Sequence, residues 1–268
     1  MNEACVTLSI ENDVALVTLN RAEKRNALDM AMFESIDRIS HQLRKNRKIR
    51  AVIVRANGVD FCSGLDLKSM LSKKSSTFSL LAKWLPGQSN LAQRVSTNWR
   101  KIPVPVIMAI QGRCWGGGLQ IALGADFRFA TPDASFSIME GKWGLIPDMG
   151  GNLALREIVT KDIAMKLAMS AEIISAQAAL KYGLITGVSD EPLQDATELA
   201  RQLVERSPDA VAAVKKLFHK NWFKSERRML AKETLYQVKM FLGKNQARAV
   251  TKQLKPEKNV TYSERKKW

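Results

Sequence analysis

Gly112-Arg113-Cys114-Trp115-Gly116-Gly117-Gly118-Leu119-Gln120 decides how this chain folds. Just before it, residues 104–110 form a β-branched run whose entry Pro103 and Pro105 hold extended. Gly112 ends that strand, and residues 119–123 continue as a helix. Three glycines at a helix start leave backbone N–H groups unobstructed and aim the positive end of the helix dipole at whatever lies there. Glycine triplets also let a helix pack closely on a strand, so the segment alone names no ligand.

Outward from this point the pattern alternates. Val14-Ala15-Leu16-Val17-Thr18-Leu19 and Ala51-Val52-Ile53-Val54 read as strands. Between them Phe33, Ile36, Ile39 and Leu43 recur at helical spacing behind Asp29, a good N-cap. Residues 127–130 and 135–138 read as further short strands, and residues 72–79 as a loop. After Gly151 the chain is helical almost to its end, with breaks near Gly183, Gly187, Pro192 and Pro208. Strands alternating with helices, then a run of helices, predict an α/β core with a helical appendage.

Composition narrows the function classes. The chain has 268 residues, 46% hydrophobic and 25% charged, which fits a folded protein and not a disordered one. Two His residues leave few ways to build a His-ligated metal site or a Ser-His-Asp triad. Three widely spaced Cys (Cys5, Cys62, Cys114), with no C-x-x-C pair, indicate neither a disulfide framework nor a zinc site. Met-Asn-Glu-Ala-Cys at the start lacks the basic and apolar regions of a signal peptide. The most apolar run, from Val104, is broken by Gln111 and Arg113, too short to span a bilayer. A cytoplasmic protein without membrane insertion is expected.

The formal charge is +16, from 42 Lys and Arg against 26 Asp and Glu. Residues 215–268 hold 16 of the cations and 4 of the carboxylates, so +12 belongs to the tail and +4 to everything before it. Leu217, Trp222, Leu230, Leu235, Val238 and Leu242 give the tail apolar positions to pack, so it reads as amphipathic helices with a solvated basic face. The last stretch, from Lys255 through Lys267, is polar enough to fray. His41 and His219 read as surface residues.

Three segments place exposed backbone or a carboxylate beside a turn: Phe61-Cys62-Ser63-Gly64-Leu65-Asp66-Leu67, the glycine triplet with Gln120, and Met139-Glu140-Gly141 through Pro147-Asp148-Met149-Gly150-Gly151. With Leu19-Asn20-Arg21, Asn26-Ala27-Leu28, Gly183-Leu184-Ile185 and Asn245-Gln246, in this order over most of the chain, they resemble the crotonase (enoyl-CoA hydratase/isomerase) superfamily. The resemblance implies a spiral of β-β-α units followed by a helical trimerisation region. It implies a catalytic, acyl-CoA-binding core at residues 1–200 and a helical oligomerisation region with a basic tail at 201–268. Homotrimers or hexamers are the implied assembly. The implied ligand is an acyl-CoA thioester, with coenzyme A as part of the substrate and no prosthetic group, metal or nucleic acid.

The resemblance also implies site roles. The N–H groups of Leu65 and Gly117 would form an oxyanion hole, beside Gly116. Lys24, Arg25, Ala27, Ser63, Asp66, Leu67 and Lys68 would line the approach of coenzyme A, whose phosphates call for cations. Asp66 reads at the same time as a residue tying down its own turn. A hydratase of this family resembles a two-carboxylate machine, but here the first position is Gln120 and only Glu140 remains. Glutamine exchanges no proton, though it can hold a water or position a substrate. Asp148 matches the place where dienoyl-CoA isomerases of the family carry a second acid, and an ordinary turn residue after Pro147 is the alternative. Three functions follow: double-bond isomerisation with Glu140 as proton carrier, hydration with Gln120 positioning water, or acyl-CoA binding without catalysis. Cys62 and Cys114 have no basic activator nearby and read as inert packing. Trp115 and Trp143 read as core, or as walls of an acyl tunnel.

Overall fold

A computed structural model describes residues 4–71 and 79–267; the expected loop at 72–79 lies, but for Ser79, outside them. β1 (Val6–Glu11) and β2 (Val14–Leu19) form an antiparallel hairpin. From β2 the sheet runs parallel through β3 (Ala51–Ala56), β4 (Val106–Ile110), β6 (Phe127–Ala130) and β9 (Gly187–Val188). A second sheet pairs β5 (Arg113–Trp115) in parallel with β7 (Ser135–Ser137), and β7 antiparallel with β8 (Ile174–Ser175). The expected strands at 104–110 and 135–138 are thus shorter, because Pro103 to Pro105 precede the ladder and Ile138 leads into a 3-10 turn.

β3 and β4 are apolar on successive residues because both their faces are covered, as parallel strands require. The Met30–Lys45 helix is buried along Phe33, Ile36, Ile39 and Leu43, and Asp29 caps it by accepting the Met32 N–H at 2.9 Å. On the other face Ala196 and Ala200, on the Pro192–Val204 helix, pack against Ala51, Ile53, Ile107 and Ala109. Pro192 and Pro208 each begin a helix at its first turn, where a missing N–H costs nothing. The Pro192–Val204 helix runs across the core boundary expected at residue 200. The sheet therefore keeps its cover up to Val204, and the C-terminal helices begin at Pro208.

The Gly117–Leu123 helix is buried throughout. A Cβ on Gly118 would stand 2.6 Å from both Cβ and O of Cys62, so only glycine permits this closeness. Arg128, 5% exposed, holds the far end: it donates to the carbonyls of Ala125 at 2.6 Å and Leu184 at 2.7 Å. Burial pushes its guanidinium down to about 10.

Two expectations change at the C-terminus. His219 is not a free surface residue: its ring nitrogen lies 2.7 Å from Asp126, which Lys215 meets at 2.7 Å from the other side. Lys215 also donates to the carbonyls of Trp99 and Val104. Burial alone would raise the Asp126 carboxyl, but Lys215 and His219 together hold it below the usual range. Nor does the final stretch fray. Arg265 is 2% exposed and donates to the Asn46 carbonyl, while the N–H groups of Ser263 and Lys266 reach Asn245 and Asp209. The partners lie far away in sequence, so no local pattern announces the docking.

Lys215→Met should lower unfolding stability by about 3 kcal/mol, because Asp126 is then left buried with His219 and the Val106 N–H but without its cation. A lower urea midpoint at unchanged slope is the expected result.

Candidate active site

Two loops meet at the glycine triplet. Cys62 and Cys114 pair through a parallel bridge, with Cys62 N–H to Arg113 O at 2.9 Å and Trp115 N–H to Cys62 O at 3.0 Å. Gly64 turns the first loop at φ +100°, where a Cβ would lie 3.2 Å from the Trp115 carbonyl oxygen. The second loop is fixed by the Gly116 N–H on Ser137 O at 2.8 Å.

Leu28 N–H donates to Gly64 O at 2.8 Å, and Asp66 N–H to Leu28 O at 2.9 Å. Successive groups of an extended segment point to opposite edges, so the Leu65 N–H faces away from Leu28. Gly117 is the first residue of its helix, one of the four N–H groups that no helix satisfies internally. Among the described residues neither N–H has a hydrogen-bond partner. Both residues line one cavity of about 520 Å³ together with Glu140 and Asp148.

Glu140 sits on the 3-10 turn Met139–Trp143. Gln120, 1% exposed beneath the cavity, donates its amide Nε2 to Glu140 Oε1 at 2.6 Å. Its own Oε1 accepts the N–H groups of Met149 at 2.9 Å and Gly151 at 3.2 Å. Glu140 Oε2 is buried and has no hydrogen-bond partner among the described residues. Burial raises the Glu140 carboxyl; its own N–H and the Gln120 amide oppose the rise, and the charge of Asp148 adds to it. Burial likewise raises Asp148, with Lys83 pulling it back.

The remaining predicted residues divide. Arg25, Ser63, Gly116 and Leu67 line the cavity; Lys24 and Lys68 are exposed outside its wall. Ala27 and Asp66 are held by Arg21, which donates to Ala27 O at 2.8 Å and Asp66 Oδ2 at 3.0 Å. Burial would raise the Asp66 carboxyl, but the Ser69 N–H and Arg21 outweigh it and the net direction is downward. Asn26, fully buried, fixes the turn that carries Arg25 by donating to Asn57 O and Asp60 O and accepting the Arg21 N–H. Arg113, Lys142 and Met149 also line the cavity and were not singled out in the sequence. For Arg113 a signal exists: it stands two residues before Trp115, so both project from one side of β5, and its guanidinium lies 5.1 Å from the Trp115 ring. Trp115 and Trp143 both line the cavity, Trp143 at 62% exposure.

Cys62 and Cys114 are fully buried, and burial pushes the Cys62 thiol up to about 12, so neither is a thiolate nucleophile near neutral pH. Among the described residues no group of three His, Cys, Asp or Glu could hold a metal, and no helix is long and apolar enough to cross a membrane. Two backbone donors beside a buried, unpartnered carboxylate oxygen suit stabilisation of a developing oxyanion together with proton transfer.

The chain is 35% identical to the (E)-benzylidenesuccinyl-CoA hydratase of Thauera aromatica, over 78% of this chain and 80% of that protein. It is 34% identical to the mitochondrial Delta(3,5)-Delta(2,4)-dienoyl-CoA isomerase of Mus musculus, over 80% and 68%. The crystal structure of an enoyl-CoA hydratase from Bacillus anthracis superposes with a TM-score of 0.85 at 25% identity, covering 96% of this chain and 98% of that one. The sequence model for enoyl-CoA hydratase/isomerase matches residues 9–267, and this chain therefore belongs to that family of enzymes.

Proposed function

We propose that this enzyme moves a carbon–carbon double bond in an enoyl- or dienoyl-CoA thioester, with Glu140 as the proton carrier. The observation that carries this reading is the fate of the Gln120 amide. It brings no titratable proton, and three of its hydrogen bonds are spent on Glu140 and the 149–151 loop. Hydration with a water held by Gln120 would need that amide in the cavity, and it lies beneath the wall. Glu140 is left with one open carboxylate oxygen, and Asp148 is a second acid in the same space.

Glu140 takes a proton from a carbon of the unsaturated acyl chain, and the electron pair moves onto the thioester oxygen. The N–H groups of Leu65 and Gly117 meet that charge, each worth ~3 kcal/mol in a dry site. Glu140 returns the proton at the carbon two positions along for a short shift; for a longer one across a conjugated diene, Asp148, protonated beforehand, gives its own proton to the far carbon, and exchange with solvent then moves a proton off Glu140 and back onto Asp148. No water is consumed. The raised Glu140 carboxyl suits both steps, since the base is stronger and the acid form is populated nearer neutral pH. Arg25, with Lys24 and Lys68 outside the wall, would meet the phosphates of coenzyme A. The 34% identity to a dienoyl-CoA isomerase supports the assignment.

Incubation with a 3-enoyl-CoA should give the 2-enoyl isomer without 3-hydroxyacyl-CoA; hydroxylated product as the main outcome refutes the assignment. Glu140→Gln should lower kcat by about 10²–10⁴ while substrate affinity is kept, and binding with no turnover in the wild type would mark a non-catalytic binder. The acid limb of the pH profile should lie above the ordinary Glu value, because ionised Glu140 is disfavoured in place. Asp148→Asn removes a repelling charge, lowers the Glu140 pKa, and should move that limb to lower pH, read on the short-shift substrate. The helices Glu226–Phe241 and Lys244–Leu254 expose Leu230, Phe241, Leu242 and Leu254, the last two at 80% and 75%. These faces support a homotrimer or a dimer of trimers, so sedimentation should return a mass of three or six chains.

A further inference from the structure

We propose that a second groove, separate from the candidate active site, binds a small polyphosphate anion: inorganic tripolyphosphate or the triphosphate of a nucleotide. The groove, of about 670 Å³, lies between the C-terminal ends of the Met30–Lys45, Leu91–Lys101 and Pro208–Asn221 helices and the chain end at Arg265 and Lys267. It shares no lining residue with the active-site cavity. From Phe33, on the wall of that cavity, to Arg44 in the groove is about 16 Å of helix.

Ten Lys and Arg residues and two His line the groove, with no Asp or Glu among the described residues. Among these cations, Arg100 is met behind the wall by Glu157 at 2.6 Å and Lys215 by Asp126 at 2.7 Å. Basic side chains at helix C-termini complement the dipole, but three helix ends supply only about 1.5 negative charges in all. Arg44, Lys45, Lys101, Lys220 and Lys267 make no salt bridge among the described residues. The charge in the groove exceeds what the fold itself neutralises.

Arg265 provides an independent sign. It is 2% exposed, its Nη2 donates to the Asn46 carbonyl, and its Nε has no hydrogen-bond partner. A buried guanidinium N–H left unmet is costly, and an anion oxygen satisfies it. Burial, then the neighbouring Arg47, pushes Arg265 down to about 10, with Asp209 opposing. Burial, then Arg44 and Arg94, lowers Lys101, with Asp37 opposing; Asp37 itself is engaged by Arg94 at 2.9 Å. Like charges are thus held together at a cost that a multivalent anion relieves.

The size and lining select the ligand. The volume is that of a small-molecule site. Among the described residues no Phe, Tyr or Trp lines the groove, and its cations point to phosphates as what is recognised.

The test is calorimetric titration of the full chain with inorganic tripolyphosphate, repeated with ATP, coenzyme A and a single-stranded oligonucleotide. Saturable binding of tripolyphosphate or ATP is expected, with a rise in Tm. The exposed pair Arg44→Ser with Lys101→Ser should weaken it roughly a hundredfold, two charge-assisted hydrogen bonds being lost. Lys181→Ser, on the exposed side of another helix, should leave it unchanged, and the tighter coenzyme A site, that of the active-site cavity, should keep its affinity in all three proteins. The proposal falls if tripolyphosphate does not bind saturably, if Lys181→Ser weakens it as much as the double variant, if the oligonucleotide binds more tightly, or if the double variant weakens that tighter coenzyme A site in parallel. Because the readout is binding, these outcomes do not depend on which reaction the active site performs.

Discussion

The buried amide of Gln120 is the contact on which the site's geometry depends. A buried side-chain amide must find partners, and this one, from the Gly117–Leu123 helix, finds them on the turn carrying Glu140 and in the backbone at Met149 and Gly151. Its position is set from both ends of the helix. Gly118 lets the helix lie against Cys62, and Arg128 gathers the carbonyls past its last turn. A carboxylate at position 120 would face Glu140 Oε1 across 2.6 Å, and one of the two would have to hold a proton. With the amide there, Glu140 is aimed by a donor and keeps its other oxygen open.

What the sequence made legible is what local chemistry decides. Asp29 as a cap, Pro192 and Pro208 as helix starts, and the glycine triplet as a helix opening onto a loop can all be read within a few residues. β5, β8 and β9, at two or three residues each, are defined by pairing and have no pattern of their own. The site was legible in part. The residues of the Gly64, Gly116 and Glu140 segments do line one cavity, and the order of motifs pointed to it. The work of Gln120 was not, because a residue type tells what a side chain can donate and not where its partners are. Arg113 escaped for a related reason, since its neighbour Trp115 matters only once β5 is extended.

The C-terminal tail shows how polarity misleads when partners are distant. Residues 255–267 carry few apolar side chains, and solvation is the natural expectation. Yet Arg265 is buried by reaching the Asn46 carbonyl just past the Met30–Lys45 helix, and Asp209 receives the Lys266 N–H. Backbone N–H groups find side-chain acceptors on Asn245 and Asp209 and the guanidinium finds the Asn46 carbonyl, so the tail docks through hydrogen bonds with little hydrophobic burial. It brings Arg265 and Lys267 to the ends of helices that already carry Arg44, Lys45, Arg100 and Lys101. Part of the tail's charge is therefore gathered in one groove by the fold.

Charge is also sorted within the active-site cavity. Arg25, Arg113 and Lys142 line it, while Glu140 Oε2 is buried and meets no donor. None of the three cations forms a salt bridge with Glu140 or Asp148. A cation in contact would lower a carboxyl pKa, and the two carboxyls are raised instead. The cations are thereby kept from pairing with the Glu140 carboxylate. The separation follows from the loops: Arg25 is held by the Asn26 post on one loop and Glu140 by the Gln120 amide on another, so the two charges have no shared flexible segment through which to collapse together. A carboxyl of raised pKa can persist beside basic side chains because the backbone keeps them apart.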